Sequence, residues 1–378
     1  MEMKSADIKT YTHLKENLLR VYKEKLELLT KSEVNVYIFG AGDYGKKVLN
    51  ICRENNIYPK GFIDNNYGEN PLPIEGLEVY KPQEIENTND LIIISSLFSS
   101  YNIFQKLEQK GFNNLIPFLI LFVKYDKYLD ERAFLNETLE EYMLDVVCNR
   151  HEYFKTMSLF EDEKSKKILQ QLMDLRLNYN YSTKMQEISP YKNMYFDKEI
   201  FTLENNEIFI DGGGFTGDTS LDFIKQTNEV YKKIFLFEPC MENFEKAKYN
   251  LRAFENINFY QKGIDKFNRI IGFETNLNKV GCHISETGNE TVETVAIDAI
   301  IDEPVTMIKF DIEGYEKKGL LGAKKLIEKY APKLAICSYH RPSDLWEIPQ
   351  IIKQICPEYK LYLRIYGGNP DSVVYAIK

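Results

Sequence analysis

The stretch that most constrains the fold is EIFIDGGGFTGDTSLDFIKQTNEVYKKIFLFEP, residues 207 to 239. Ile208, Phe209 and Ile210 form an apolar run of the length of a buried parallel strand. Asp211 stands at its carboxyl end, and Gly212, Gly213 and Gly214 follow at once. Lacking Cβ atoms, these glycines let the backbone turn sharply and come close to a ligand. Gly217, Asp218 and Thr219 complete the turn, and Asp218 or Thr219 is expected to cap a helix through Ile224. A second apolar strand, Ile234 to Phe237, ends in Glu238, 238 − 211 = 27 residues after Asp211. A βαβ unit sets an acid against a ribose at about this interval. The fold class is therefore α/β, built on a parallel sheet.

The loop reads D-G-G-G-x-x-G-D rather than the dinucleotide G-x-G-x-x-G. A carboxylate directly before the glycines repels a pyrophosphate and suits a cationic ligand tail. S-adenosylmethionine has such a tail, an ammonium group beside a sulfonium. The turn is read as a methyl-donor site, against the plainer alternative of a strand-to-helix turn with no ligand.

At 378 residues the chain exceeds one ordinary domain and suits two. A hydrophobic fraction of 44% and a charged fraction of 28% describe a globular protein with ample core. The net charge of −9 argues against nucleic acid as a main partner, because phosphate binding needs a basic face. The six cysteines, Cys52, Cys148, Cys240, Cys282, Cys337 and Cys356, include no C-x-x-C pair. They fit reduced thiols of a cytoplasmic protein rather than a disulfide frame or zinc site. No apolar run reaches membrane-spanning length, and the N-terminus lacks a signal-peptide pattern. LIIISSLF (91–98) and LIPFLILFV (115–123) are the most apolar runs, and both have the length of buried strands.

Four segments follow from the pattern. Residues 1–33 carry one amphipathic helix over 8 to 30, where Leu14, Leu18, Tyr22, Leu26 and Leu29 recur at three- and four-residue steps. It fits a packing helix or a contact within a homo-oligomer. Residues 34–120 form a smaller doubly wound Rossmann-like domain. Its first strand runs into Gly40, Gly42 and Gly45, a complete G-x-G-x-x-G, and Asp64 follows 64 − 40 = 24 residues after Gly40, at the place of a ribose acid. This domain resembles the nucleotide-sugar-binding half-domain found before some sugar-modifying enzymes, including sialic-acid-type acetyltransferases. The resemblance implies a nucleotide or nucleotide-sugar pocket; a scaffold whose glycines fit helix to sheet is the other reading. Residues 121–195 are a helical linker whose tyrosines Tyr179, Tyr181, Tyr191 and Tyr195 either stack on a sugar or pack on a domain seam.

Residues 196–378 complete the larger domain. A helix is expected over 242 to 254, a third strand over 257 to 264 with Asp265 at its end beside an adenine, and an antiparallel excursion over 270 to 300. VTMIKF (305–310) is a fourth strand, and DIEGYE (311–316) opens a helix through Lys329. KLAICSYH (333–340) is a fifth strand ending in His340, and a helix over 344–355 leads to a terminal hairpin. This is the seven-stranded, Rossmann-like class I methyltransferase sheet with an antiparallel last strand.

YFDKEIFTLENNEIFIDGGGFTGDTSLDF, FEP, MIKFDIEGYE, SYHRPSDLWEIP and YLRIYGGNPDSVVYAI together resemble the FkbM family of S-adenosylmethionine-dependent methyltransferases, over about residues 195 to 378. The family mostly methylates hydroxyls of sugars and polyketides, often in bacterial surface-glycan clusters. The resemblance implies that Asp211, the glycines and Glu238 hold the donor, and that the DIEGYE and SYH segments face a sugar, nucleotide-sugar or glycan acceptor. Ile365 stands where a histidine is common in the family, which removes any acceptor contact of that histidine.

A sulfonium methyl is already electrophilic, so the protein has to align an oxygen behind it and remove a proton. Asp311 and Glu313 end one parallel strand and His340 the next, so the three are expected to converge at the carboxyl edge where ligands bind. His340 is a candidate base. The same trio could ligate Mg²⁺, since carboxylates favour hard cations, or the two acids could only cap the following helix. Two other classes stay open: an NAD(P)-dependent or bifunctional enzyme using the N-terminal domain, and a donor-binding protein without turnover.

Overall fold

The computed structural model describes residues 5–65, 72–95, 100–125, 132–134, 137–178, 188–190, 192, 194–274, 283–284, 290–367 and 371–378. The chain separates into two compact units, residues 1–148 with 170–186 and residues 149–169 with 187–378. The segment expected as a helical linker is divided between them, and the helix Glu163–Asn178 contributes to both.

The first unit is built on a five-stranded parallel sheet in the order Glu78–Tyr80, Gly61–Ile63, Val36–Phe39, Leu91–Ile94, Leu115–Pro117. The all-apolar central strands, Val36–Phe39 and Leu91–Ile94, are buried along their whole length, as strands covered on both faces must be. The run 115–123 is not one strand. It turns helical at Phe118, giving Phe118–Tyr125 with Phe118 to Val123 all buried. Periodicity cannot separate a buried strand from a buried helix in a run apolar all round, and here tertiary burial decides. The N-terminal stripe is likewise interrupted, as Ser5–Val21, Lys23–Glu27 and a 3₁₀ turn, Leu28–Thr30. Its Leu18, Tyr22, Leu26 and Leu29 join Val36, Ile38 and Val48 in one core cluster, so they pack within the unit itself.

The second unit holds an eight-stranded sheet in the order Ile257–Tyr260, Lys233–Phe237, Ile208–Gly212, Met307–Phe310, Lys333–Cys337, Asp371–Ile377, Lys360–Tyr366, Ile188–Ser189. The first five are parallel, and Asp371–Ile377 runs antiparallel between Lys333–Cys337 and Lys360–Tyr366. This is the expected seven-stranded arrangement with one short edge strand added. Register aligns Asp211 with Leu236 on one side and Lys309 on the other.

Several boundaries shift for identifiable reasons. The run 257–264 divides between two sheets: Tyr260 pairs with Phe237, the last residue of its neighbour, and Gly263–Ile264 pairs instead with Thr294 and Val295 in a four-stranded sheet. That sheet contains Arg269–Glu274, His283–Ile284 and Glu290–Val295, within the expected antiparallel excursion. The helix after the glycine turn is capped by Gly217, at φ +82°, rather than by Asp218 or Thr219, and runs Asp218–Gln226. The helix after Glu238 is Met241–Asn250. The segment after DIEGYE is two helices, Glu316–Gly322 and Lys324–Tyr330. Strand Lys333–Cys337 stops three residues short of His340, and Asp344–Ile355 is helical as expected.

Candidate active site

The glycine turn interlocks three strands. Gly213 N–H and Gly214 N–H donate to Phe237 O at 3.0 and 2.9 Å, and Asp311 N–H donates to Gly212 O at 3.1 Å. Gly213 has φ +75°, and a Cβ there would lie 1.8 Å from Asp311 O. A side chain is therefore excluded by backbone packing as well as by conformation.

The Asp211 carboxylate is turned into the protein interior. Its side chain is buried, accepts from Ser220 Oγ at 2.6 Å and pairs with Lys309 Nζ at 3.1 Å. Burial, opposed by Lys309, lifts its pKa above the usual carboxylate value. Burial pulls Lys309 down, but Asp211 and Asp311 outweigh it and keep the ammonium charged. Lys309 also donates to Gly212 O and Gly213 O at 3.1 and 2.7 Å. The expected pairing of Asp211 with a cationic tail is thus replaced by an internal ion pair that braces the turn. The sequence signal was a lysine inside the apolar strand MIKF.

Glu238 sits at the carboxyl end of its strand, 6% exposed, and accepts from Phe215 N–H at 2.8 Å and Cys240 N–H at 2.9 Å. Burial still pushes it up to about 7 against those two amides. Each carboxylate oxygen keeps a lone pair beyond the amide it accepts, so the group fits a ribose diol. Asp265, expected beside an adenine, is buried and committed to Arg269 Nε at 2.7 Å and to Lys266 N–H at 2.6 Å. Its carboxylate serves the turn into the small sheet. Asp218 is exposed and Thr219 half-buried. Phe215, between Gly214 and Gly217 in the turn, is 48% exposed, at φ +44°.

At the carboxyl edges of Met307–Phe310 and Lys333–Cys337, the three expected side chains converge. His340 Nε2 lies 3.4 Å from Asp311 Oδ1 and 3.7 Å from Glu313 Oε2. Asp311 also accepts from Tyr195 O–H at 2.7 Å and Tyr339 O–H at 3.4 Å. Burial lifts Asp311, but His340, Lys309 and the Tyr195 hydrogen bond outweigh it and hold the carboxylate below its usual range. Glu313, at φ +54° with Gly314 at +85°, is pushed up to about 7, first by burial and then by Asp311 and Glu316 against His340. Its side chain is 36% exposed, against 3% for His340.

His340 departs from the expected neutral base. Its Nδ1 faces Glu316 Oε1 at 2.9 Å. Burial pulls the ring down, but Glu316, Glu313 and Asp311 raise it to about 10. At neutral pH it is an imidazolium, and it donates rather than accepts.

Sequence reasoning passed over Glu316, Lys309 and the use made of Tyr195. Tyr195 is buried at φ +69°, its N–H held by Tyr375 O–H at 2.9 Å, with its hydroxyl on Asp311. Tyr179, Tyr181 and Tyr191 lie outside the described residues. Asp311, Glu316 and His340 offer ligand atoms within 4.8 Å of one another. Mg²⁺ does not fit them well: it takes oxygen ligands in a near-ideal octahedron. Here both ring nitrogens already face carboxylates.

In the first unit, Gly40 has φ +104° and Gly45 packs so that a Cβ would be 2.0 Å from Gly40 O. A Cβ on Gly42 would meet nothing within 4 Å. Gly42 caps the helix Asp43–Glu54, and Asp64 Oδ2 accepts Ala41 N–H at 2.9 Å, closing the loop.

Sequence and structure comparisons agree with this geometry. Residues 211–362 match the family described as the methyltransferase FkbM domain, and residues 32–115 match a C2185-like N-terminal domain. An FkbM methyltransferase from Methylobacillus flagellatus KT superposes with a TM-score of 0.71 at 19% identity, covering 98% of this chain and 99% of its own. A SAM-dependent methyltransferase from Aquifex aeolicus aligns at 17% identity over 50% of this chain and 93% of its own, with a TM-score of 0.31. No curated protein matches the chain. The sheet order and glycine turn are those of an S-adenosylmethionine-dependent methyltransferase. Within that class, residues 211–362 carry the match to the methyltransferase FkbM domain.

Proposed function

We propose that this protein transfers a methyl group to a hydroxyl of a sugar, nucleotide sugar or glycan precursor, in the cytoplasmic assembly of bacterial surface polysaccharide. The observation that carries the reading is the meeting of Asp311, Glu313 and His340 beside the glycine turn, within 3.7 Å of one ring nitrogen. The acceptor class rests on the FkbM resemblance and on an edge rich in groups that hydrogen-bond hydroxyls.

S-adenosylmethionine supplies an electrophilic methyl when bound. Glu238 holds the ribose hydroxyls. Glu313, the most exposed acid of the cluster and titrating at about 7, takes the acceptor proton. Asp311, kept ionised by Tyr195 and His340, accepts a hydrogen bond from the acceptor and orients it. His340 holds both acids in place and offsets their charge. In the first unit, the open space at Gly42 supports a phosphate seat for a nucleotide sugar.

The test is methyl transfer from labelled donor to a panel of nucleotide sugars. Glu313→Gln should lower turnover by about 10²–10⁴ and leave donor affinity near wild type. Normal turnover in Glu313→Gln would remove this residue from proton transfer, and a panel with no methylated product would remove the sugar class.

A further inference from the structure

Tyr195 lies outside residues 211–362, the span that matches the FkbM domain, and its backbone is strained. A φ of +69° is costly for a bulky aromatic residue and persists only where the surroundings over-determine it. The surroundings here are a chain of buried phenols. Tyr195 N–H donates to Tyr375 Oη at 2.9 Å, Tyr375 O–H to Tyr366 Oη at 2.7 Å, and Tyr366 O–H to Asp197 Oδ2 at 2.8 Å. The direction of each bond is fixed, because a backbone N–H only donates and a carboxylate only accepts. Tyr366, Tyr375 and Asp197 are buried, and the two phenols come from the paired strands Lys360–Tyr366 and Asp371–Ile377. The hairpin thereby holds both ends of the segment from Tyr195 to Asp197, while Phe196 between them packs on Phe209 and Phe223.

What the strained backbone holds in place is the side chain. Its ring centre lies 5.2 Å from Lys309 Nζ, the cation that braces the glycine turn through Gly212 O and Gly213 O. Its hydroxyl donates to Asp311 Oδ2 at 2.7 Å and lies 3.6 Å from Cys337 Sγ at the end of the next strand. One residue thus meets the brace of the donor turn with its ring and an acid of the acceptor edge with its hydroxyl. A carboxylate's terminal torsion is broad, so Asp311 needs a fixed donor to keep one orientation. The contacts from His340 Nε2 and Tyr339 O–H, both at 3.4 Å, are longer and weaker guides.

We propose, building on the transfer reaction above, that Tyr195 is a positioning residue that sets the donor turn and the acceptor edge in register. Its hydroxyl orients Asp311 toward the acceptor, and its ring seats Lys309 against the glycine turn. The chain through Tyr375 and Tyr366 to Asp197 keeps it in the strained pose. The two parts of the side chain are separable by substitution. Tyr195→Phe keeps the ring and removes the hydroxyl, whereas Tyr195→Leu removes both.

The deciding experiment uses the full chain as wild type, Tyr195→Phe, Tyr195→Leu, Asp311→Ala and the double variant Tyr195→Phe with Asp311→Ala. Calorimetry reads the affinity for S-adenosylmethionine, and turnover is read on whichever nucleotide sugar is methylated. Tyr195→Phe should keep donor affinity within about twofold and lower kcat by ~10- to 100-fold with little change in the acceptor KM, the signature of a misdirected reacting group. That loss should vanish in the Asp311→Ala background, because the hydroxyl acts through that acid. Tyr195→Leu should in addition weaken donor binding by about three- to tenfold, as the ring leaves Lys309. A merely structural tyrosine would lower stability without this split. Normal turnover in Tyr195→Phe, an equal loss in the Asp311→Ala background, or unchanged donor affinity in Tyr195→Leu overturns the proposal; if Tyr195→Leu does not fold, the Tyr195→Phe cycle decides. Should no sugar be methylated, the transfer reading fails, and unfolding of the ligand-free chain decides the inference instead. There the two substitutions of the double variant should be coupled by about tenfold or more in the unfolding constant, and additive effects overturn it.

Discussion

Donor binding should expel a proton from Glu238, and its affinity should therefore depend on pH. In the free protein the carboxyl group titrates at about 7, because burial outweighs the amides of Phe215 and Cys240. The acid is thus part protonated at neutral pH. Two ribose hydroxyls donating to it favour the ionised form and draw the value back toward the ordinary 4.5. By linkage, affinity is at its full value above the free-protein value and falls as pH drops below it. For a shift from about 7 to about 4.5, binding at about pH 5.5 should be ~25- to 30-fold weaker than at about pH 8, or ~2 kcal/mol. Calorimetry at both pH values, in two buffers of different ionisation enthalpy, measures the affinity ratio and the released proton together. Glu238→Gln should bind more weakly at high pH and lose this dependence; it separates Glu238 from Glu313 and Asp344, which titrate in the same range. Equal affinities at both pH values, or an unchanged slope in Glu238→Gln, would refute the ribose assignment.

Other consequences can be checked on stability and binding. Asp211→Ala leaves the Lys309 ammonium without its buried partner and should cost about 3–5 kcal/mol, read from the denaturant midpoint; a variant as stable as wild type with only donor affinity lost would return Asp211 to the ligand. Gly42→Ala should stay within about 0.5 kcal/mol of wild type, since nothing lies within 4 Å, whereas Gly45→Ala should unfold the first unit. A nucleotide sugar that protects residues 34–65 from hydrogen exchange in wild type and not in Gly42→Ala would support the phosphate seat; no protection in either leaves Gly40 to Gly45 as scaffold.

The sequence placed the larger sheet well because its signals are local. Apolar runs, the glycine turn and the acids that end the strands all lie within short windows, and strand order follows from the βα rhythm. The same locality brings Asp311, Glu313 and His340 to one edge, where the structure has them meet. It failed where a run is apolar all round, as at 115–123, and where a strand loses its partner, as after Tyr260.

Charge states were decided by tertiary structure alone. Asp211 looks like a ligand acid until the register sets Lys309 beside it. Asp265 looks free until Arg269 closes on it. His340 looks like a base of ordinary acidity until Glu316, Glu313 and Asp311 surround it. Residue type and spacing determine which groups reach the carboxyl edge. Desolvation and through-space charge determine what each can do there, and both depend on neighbours that are 98 residues away in the case of Lys309 and Asp211 and a few ångströms away in space.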